Sequence, residues 1–382
     1  MTGDPYFSRL LDALTAPEAG YVRASTPAAA GSGPDFAVGE ARYPMPAEVR
    51  ERLAEQARGM DRFWYSDPRG EAGLRAIYLR DLVGGEADPD TVLVTAGGKE
   101  AAALAVRFAL HQQGGGPVLI PTPGWEPYRF WVEAAGAEVR SYDPSAMAAD
   151  PSRLRALIDE CDPRPRVLVL NYPHNPTGTS LSQAVMDELI AVATVYGVSV
   201  VSDEVYRSFG PAPVSAARAL AFDPQRHLVV DSISKWCAAA GLRVGFVHAE
   251  RRVVDALTAV RAASASCTSV LTQAFAANLL TDSAATTWLV QLRRQVAADR
   301  TDTAVALGEA GIDVVSHGGL YLWCKTPDPA ALPARDGTAV AGARVSGGAG
   351  FGAPEHFRVC PARAALDPVA AAAAVVETLG TW

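Results

Sequence analysis

Leu228-Val229-Val230-Asp231-Ser232-Ile233-Ser234-Lys235 is the stretch from which the organisation of this chain can be read outward. The apolar run reads as a buried strand, and a lysine just past its end stands at the mouth of a sheet instead of on an open face. A lysine amine in a partly desolvated site, close to another cation, gives up its proton more readily and can form a Schiff base with an aldehyde. Arg243 follows in Ala240-Gly241-Leu242-Arg243-Val244-Gly245, and with the hydroxyls of Ser232 and Ser234 it supplies the groups that hold a phosphate dianion. An aldehyde that also carries a phosphate, pyridoxal phosphate, fits that combination. Taken alone, the stretch is equally compatible with a strand end bearing a solvated lysine and a surface arginine.

The chain of 382 residues is too long for one simple core and suits two units in one body. Apolar residues make up 49% and charged residues 20%, so a globular protein with a sizeable core is expected. A formal net charge of -8 disfavours nucleic acid or an anionic membrane as a partner, because the whole-protein field repels both. The five cysteines are widely spaced and contain no C-x-x-C pair, which fits a reducing compartment and neither a disulfide framework nor a zinc site. The start, with Asp4 and Arg9 ahead of a short amphipathic run, lacks the basic head and apolar middle of a signal peptide. No apolar run approaches the roughly 18 residues of a spanning helix. A cytoplasmic protein is the expectation.

Upstream of the lysine the pattern alternates strand and helix, as in a mostly parallel sheet covered on both faces. A short helix is expected at 6–14, a loop to 34, a short strand at 35–40 and helices over 46–57 and 74–82. Strands are expected at 91–95, 117–120, 138–141, 167–170, 198–201, 228–231 and 244–247, with helices between the earlier ones. Beyond residue 250 long helices take over, followed by strands near 311–315, 319–324 and 356–360 and a final Ala-rich helix. The expected division is an arm at 1–45 joining the small unit, a large unit at 46–255 and a small α+β unit at 256–382.

Several turns at the ends of these strands carry chemistry, since ligands of α/β sheets bind outside the carboxyl ends of the strands. Asn171-Tyr172-Pro173-His174-Asn175-Pro176-Thr177-Gly178 follows one of them, and Asn175 could donate to a phenolate oxygen. In isolation such a string is often only a tight turn. Ser202-Asp203-Glu204-Val205-Tyr206 ends the next strand. A carboxylate at Asp203 would keep a pyridine nitrogen protonated, and a protonated ring drains charge from a carbanion at Cα; the bland alternative is a helix cap. Tyr206 could reach the same oxygen as Asn175. Gly97-Gly98-Lys99 opens a helix where backbone N–H groups could meet a phosphate, and Trp125 offers a face to a planar ring, although a single tryptophan is more often core.

The order of these pieces resembles the class I/II aminotransferases, fold type I pyridoxal phosphate enzymes. It runs from Tyr65, Gly70 and Leu74-Arg75 through Gly97-Gly98-Lys99, Trp125, Asn175-Pro176-Thr177-Gly178, Asp203 with Tyr206, Ser232-x-Ser234-Lys235 and Arg243 to Arg358. The resemblance implies a seven-stranded, mostly parallel sheet and a homodimer with shared active sites. It implies that Lys235 carries the cofactor as an internal aldimine and moves the proton at Cα. Asp203 would face the pyridinium, Asn175 and Tyr206 the ring oxygen, and Trp125 the ring. Gly97, Gly98, Lys99, Ser232, Ser234 and Arg243 would surround the phosphate, with Tyr65 reaching that of the neighbouring subunit. Arg358 would clamp the substrate α-carboxylate beside Asn175 and the backbone of Gly39.

Three departures stand beside the resemblance. Lys99 replaces a more usual small or polar residue, Trp236-Cys237 follow the lysine, and the Gly- and Ala-rich piece at 336–352 leaves little room for the helix that relatives carry there. A trimmed small unit beside the substrate mouth is the expectation. Amino-group transfer from an L-amino acid to a 2-oxo acid is therefore the first reading. Elimination, replacement or cyclisation, as in enzymes resembling aminocyclopropane carboxylate synthase, is the second. Arg23, Arg42, Tyr43 and Tyr321 are candidates for the mouth.

Overall fold

A computed structural model describes residues 33–326 and 343–380. The helix expected at 6–14, the mouth candidate Arg23 and the first part of the Gly- and Ala-rich piece lie outside the described residues. Helix α1 (Ala47–Gly59) starts behind Pro46 and buries Val49 and Leu53, and α2 (Ala72–Val83) buries Leu74, Tyr78 and Leu82 before ending on Gly84. There follow β1 (Val92–Thr95), α3 (Gly98–Gln112), β2 (Val118–Pro121), α4 (Pro127–Ala134) and β3 (Val139–Tyr142). Next come α5 (Pro144–Ala149), α6 (Arg153–Glu160), β4 (Val167–Asn171), α7 (Gln183–Tyr196) and β5 (Ser199–Asp203). The large sheet is completed by β6 (Leu228–Ser232), the one-turn α8 (Ile233–Trp236) and β7 (Gly245–His248).

The seven strands lie in the order β1-β7-β6-β5-β4-β2-β3. From β6 across to β3 every neighbouring pair is parallel, whereas β7 runs antiparallel to both β6 and β1. The reason lies in the connection. Parallel neighbours need a full crossover, and residues 233–244 hold only one helical turn and a 3-10 turn, Ala240–Leu242, before the chain must return. Burial of β4 on both faces follows from period two: Leu168 and Leu170 belong to the core that holds Leu189 and Ile190 of α7, while Val167 and Val169 belong to the core that holds Ala105 and Ala109 of α3. Truncating one such leucine to alanine costs about 2–5 kcal/mol.

Beyond β7 the chain forms α9 (Arg251–Ala265), α10 (Val270–Thr281) and the 27-residue α11 (Ser283–Glu309). Helix α11 starts on Asp282, whose carboxylate accepts from Ala284 N and Ala285 N. Its first half contributes Trp288, Leu289, Leu292 and Val296 to the large core, and its end contributes Ala306 and Leu307 to a separate core. That second core lies under β8 (Val314–Gly318), β9 (Tyr321–Lys325), β10 (Ser346–Gly347), β11 (His356–Val359) and α12 (Pro368–Gly380), the four strands being antiparallel in the order β10-β11-β9-β8.

Three local expectations need correction. Residues 35–40 make no strand: the arm forms isolated bridges, Asp35 with Arg344 and Arg42 with Arg363, and Phe36 packs into the small core. The strand expected at 311–315 is Val314–Gly318, because Ile312 N still closes the end of α11 on Leu307 O. Helix α5 was not anticipated, although Asp143 followed by Pro144 is a start signal: the Asp143 carboxylate accepts from Ser145 N and Ala146 N.

Candidate active site

The carboxyl ends of β4, β5 and β6 open into one cavity of about 500 Å³, lined also by the arm residue Gly39, by Trp125 and by Arg358 of the small sheet. Sheet register sets the floor, with Asn171 opposite Asp203 and Asp203 opposite Val230. Asn171 ties two turns together: its amide donates to Asp203 O at 3.0 Å, and its Oδ1 accepts from Asn175 N at 3.0 Å. Asn171 was not singled out from the sequence; an amide ending a wholly apolar strand was the available signal.

Asp203 is 3% exposed, accepts from the Tyr128 hydroxyl at 2.6 Å and pairs with no cation among the described residues. Burial pushes its carboxyl up to about 6, against the lowering effect of the Tyr128 hydrogen bond. Tyr128, on α4 three residues after Trp125, is a second functional residue that sequence reasoning missed. Trp125 packs edge-to-face on Tyr128 (5.2 Å) and Trp131 (5.5 Å), and the Lys99 amine lies 5.7 Å from its ring centre.

The Lys235 amine, one turn past β6, donates to Gly39 O and lies 6.0 Å from the Tyr206 ring. Burial lowers its pKa to about 8; nearby Arg358 acts in the same direction and the Cys360 thiol opposes it. Gly97, at a φ of 89°, and Gly98 begin α3 with no side chain capping the helix. A Cβ on Gly97 would run into the Arg243 guanidinium, and one on Gly98 would press Ser232 and Val205 at 3.0 Å. The result is a cup with a helix N-terminus on one side and Arg243 on the other. The Ser232 hydroxyl lies 2.8 Å from both Val244 O and Ser234 Oγ and accepts from Ser234 N, so it also fixes the turn that carries Lys235.

Arg358, on β11, is only 7% exposed. It donates to Asn175 Oδ1 at 2.6 Å and to Ala37 O at 2.5 Å, with Ser346 Oγ at 3.2 Å. The rings of Tyr321 and Phe351 lie 4.5 and 4.9 Å from its guanidinium carbon, on the cavity wall. The hydroxyls of Tyr206 and Tyr321 meet at 2.6 Å.

Two of the mouth candidates turn elsewhere: Arg42 pairs with Glu40 at 2.7 Å, and Tyr43 donates to Asp299 of α11 at 2.5 Å. Tyr65 stands apart from the cavity of its own chain and is 87% exposed, next to exposed Phe63 and Trp64. Of the Gly- and Ala-rich piece, the described part holds the Arg344 bridge, β10 and a 3-10 turn, Gly348–Phe351, that leads towards β11.

The chain is 28% identical over 338 residues to the aspartate/prephenate aminotransferase of Thermus thermophilus, covering 84% of each chain. It is 30% identical over 307 residues to the glutamate-pyruvate aminotransferase AlaC of Escherichia coli, covering 77% of this chain and 72% of the relative. A solved double mutant of Thermus thermophilus aspartate aminotransferase superposes with a TM-score of 0.81 at 25% identity, over 98% of this chain and 99% of that one. The family model described as aminotransferase class I and II matches residues 34–376, and the chain belongs to that family.

Proposed function

We propose that this protein transfers an amino group from an L-amino acid to a 2-oxo acid, using pyridoxal phosphate held at Lys235. The observation that carries the reading is the Lys235 amine in one cavity with the buried Asp203 carboxylate and with Gly98 and Arg243 of the cup. The residues fit the cofactor. A buried carboxylate without a cation suits a protonated ring nitrogen, and a helix N-terminus opposite Arg243 suits a phosphate. When bound, pyridoxal phosphate withdraws into its ring the electron pair left at the substrate Cα.

The chain's own residues do the rest. Lys235, with its pKa near 8, holds enough neutral amine near neutral pH to attach the cofactor and, once displaced, to take and return the Cα proton. Asp203, fixed by Tyr128, holds the ring nitrogen as a cation. Gly97, Gly98, Lys99, Ser232, Ser234 and Arg243 surround the phosphate, and Trp125 covers the ring. Asn175 and Tyr206 face the ring oxygen. Arg358 grips the substrate α-carboxylate beside Gly39 and Asn175, for which a guanidinium fork is suited. Tyr65, exposed on its own chain, serves the phosphate of a second copy in a homodimer.

Among the described residues no helix is long and apolar enough to cross a membrane, and a cytoplasmic setting with small-molecule substrates is part of the proposal. Elimination or cyclisation is not favoured by the aminotransferase relatives. The test is to supply single amino acids with a 2-oxo acid acceptor and follow the new amino acid. Ammonia or a cyclic product without acceptor turnover would sink amino-group transfer.

A further inference from the structure

We propose that Tyr321 is a positioning residue of this site with two separable duties. Its hydroxyl donates to Tyr206 and thereby leaves the Tyr206 proton for the ring oxygen of the cofactor, and its ring holds the Arg358 guanidinium in place for the substrate carboxylate. The proposal deepens the cofactor reading above and rests on it.

The first duty follows from proton counting. Tyr206 follows β5 in the large unit and Tyr321 starts β9 in the small one, and their hydroxyl oxygens lie 2.6 Å apart across the junction. Both side chains are buried, at 5% and 1% exposure. A phenol has one proton to give and can accept besides. If Tyr206 gave its proton to Tyr321, nothing would remain for a ring oxygen; with Tyr321 as donor, Tyr206 accepts and still donates onward. Among the described residues the Tyr321 hydroxyl has no other hydrogen-bonded partner. The charged or titratable groups facing it are Arg358, Cys360 and Asp203 besides Tyr206.

The second duty lies in the ring. The Arg358 guanidinium carbon is 4.5 Å from its centre, so the cation rests on an aromatic face while its N–H groups reach Asn175 and Ala37. The place of the Tyr321 hydroxyl is also fixed from the arm, because a Cβ on Gly39 would overlap it. One side chain thus touches the groups that would face cofactor and substrate.

The experiment is a pH titration of the visible absorbance of the Lys235-bound cofactor in the holoenzyme, with steady-state kinetics alongside, for the wild type, Tyr321→Phe and Tyr321→Leu. A hydrogen bond passed to an anionic ring oxygen lowers the titration midpoint. Tyr321→Phe should therefore raise it by about half a pH unit, leaving KM for the amino acid within about twofold. Tyr321→Leu should raise the midpoint similarly and also raise KM about fivefold. A midpoint in Tyr321→Phe that is unchanged or lowered overturns the hydroxyl duty, and a KM in Tyr321→Leu equal to that of Tyr321→Phe overturns the ring duty. Absence of any cofactor band in the wild type overturns the cofactor reading itself, and this inference with it.

Discussion

The Arg358 guanidinium donates to Asn175 Oδ1 at 2.6 Å, so the residue proposed to hold substrate and the one proposed to face the cofactor are directly bonded across the two units. Arg358→Lys keeps a charge but loses the fork. About 3 kcal/mol of charge-assisted hydrogen bonding is at stake, so kcat/KM for the amino acid should fall about a hundredfold. Steady-state kinetics check this; a loss under threefold contradicts the clamp.

Attachment of the cofactor should follow the titration of Lys235. Its pKa is lowered to about 8, so the neutral amine gains as pH rises through that value. The rate of covalent attachment, trapped by borohydride and mapped by mass spectrometry, should climb from pH 6 and level off above about pH 8. Lys235→Ala should show no attachment at that position. A rate still climbing at pH 10 would contradict the depressed amine.

Glu204 offers a stability test outside the reacting groups. Its Oε1 accepts from Ser202 Oγ and Ala216 N, both at 2.8 Å, while Oε2 has no partner, and burial raises its pKa from 4.5 to about 7. For an acid raised in the folded state, the unfolded chain releases its proton first. Stability is therefore full below pH 4.5 and is lost as pH rises towards 7, by about 3 kcal/mol. Glu204→Gln should flatten that slope in denaturant titrations of the cofactor-free protein from pH 4.5 to 8.

Shared sites can be tested by mixing. Tyr65→Ala and Lys235→Ala should each be severely impaired, the first through the partner's phosphate and the second through its own site. Co-unfolding and refolding them in equal amounts should restore about a quarter of wild-type activity, because half the dimers are mixed and each of these carries one intact site. No recovery would contradict the assignment of Tyr65.

Much of this site was legible because its residues sit where strands end. Asp203, Ser232 and Lys235 follow apolar runs whose burial is set by period two, and the geometry brings them into one cavity. What stayed hidden was long-range. Tyr128 meets Asp203 from 75 positions away, and Tyr206 meets Tyr321 across 115. No local pattern records such pairings. The antiparallel course of β7 was hidden for a related reason: strand direction depends on whether the connection leaves room for a crossover, and an apolar run reads the same both ways. Arg42 and Tyr43 were misplaced because an arm without regular structure carries no periodicity to say which way a side chain points.

Helix α11 takes part in both cores, and its 27 residues span about 40 Å at 1.5 Å per residue. A rod of that length is a lever. Trp288 and Leu307 are about 28 Å apart along it, so a tilt of about 5° at the first carries the second through about 2.5 Å, close to the 2.6 Å length of the hydrogen bond that joins Arg358 to Asn175. A substitution in the middle of this helix, remote from every reacting atom, therefore bears on both cores at once.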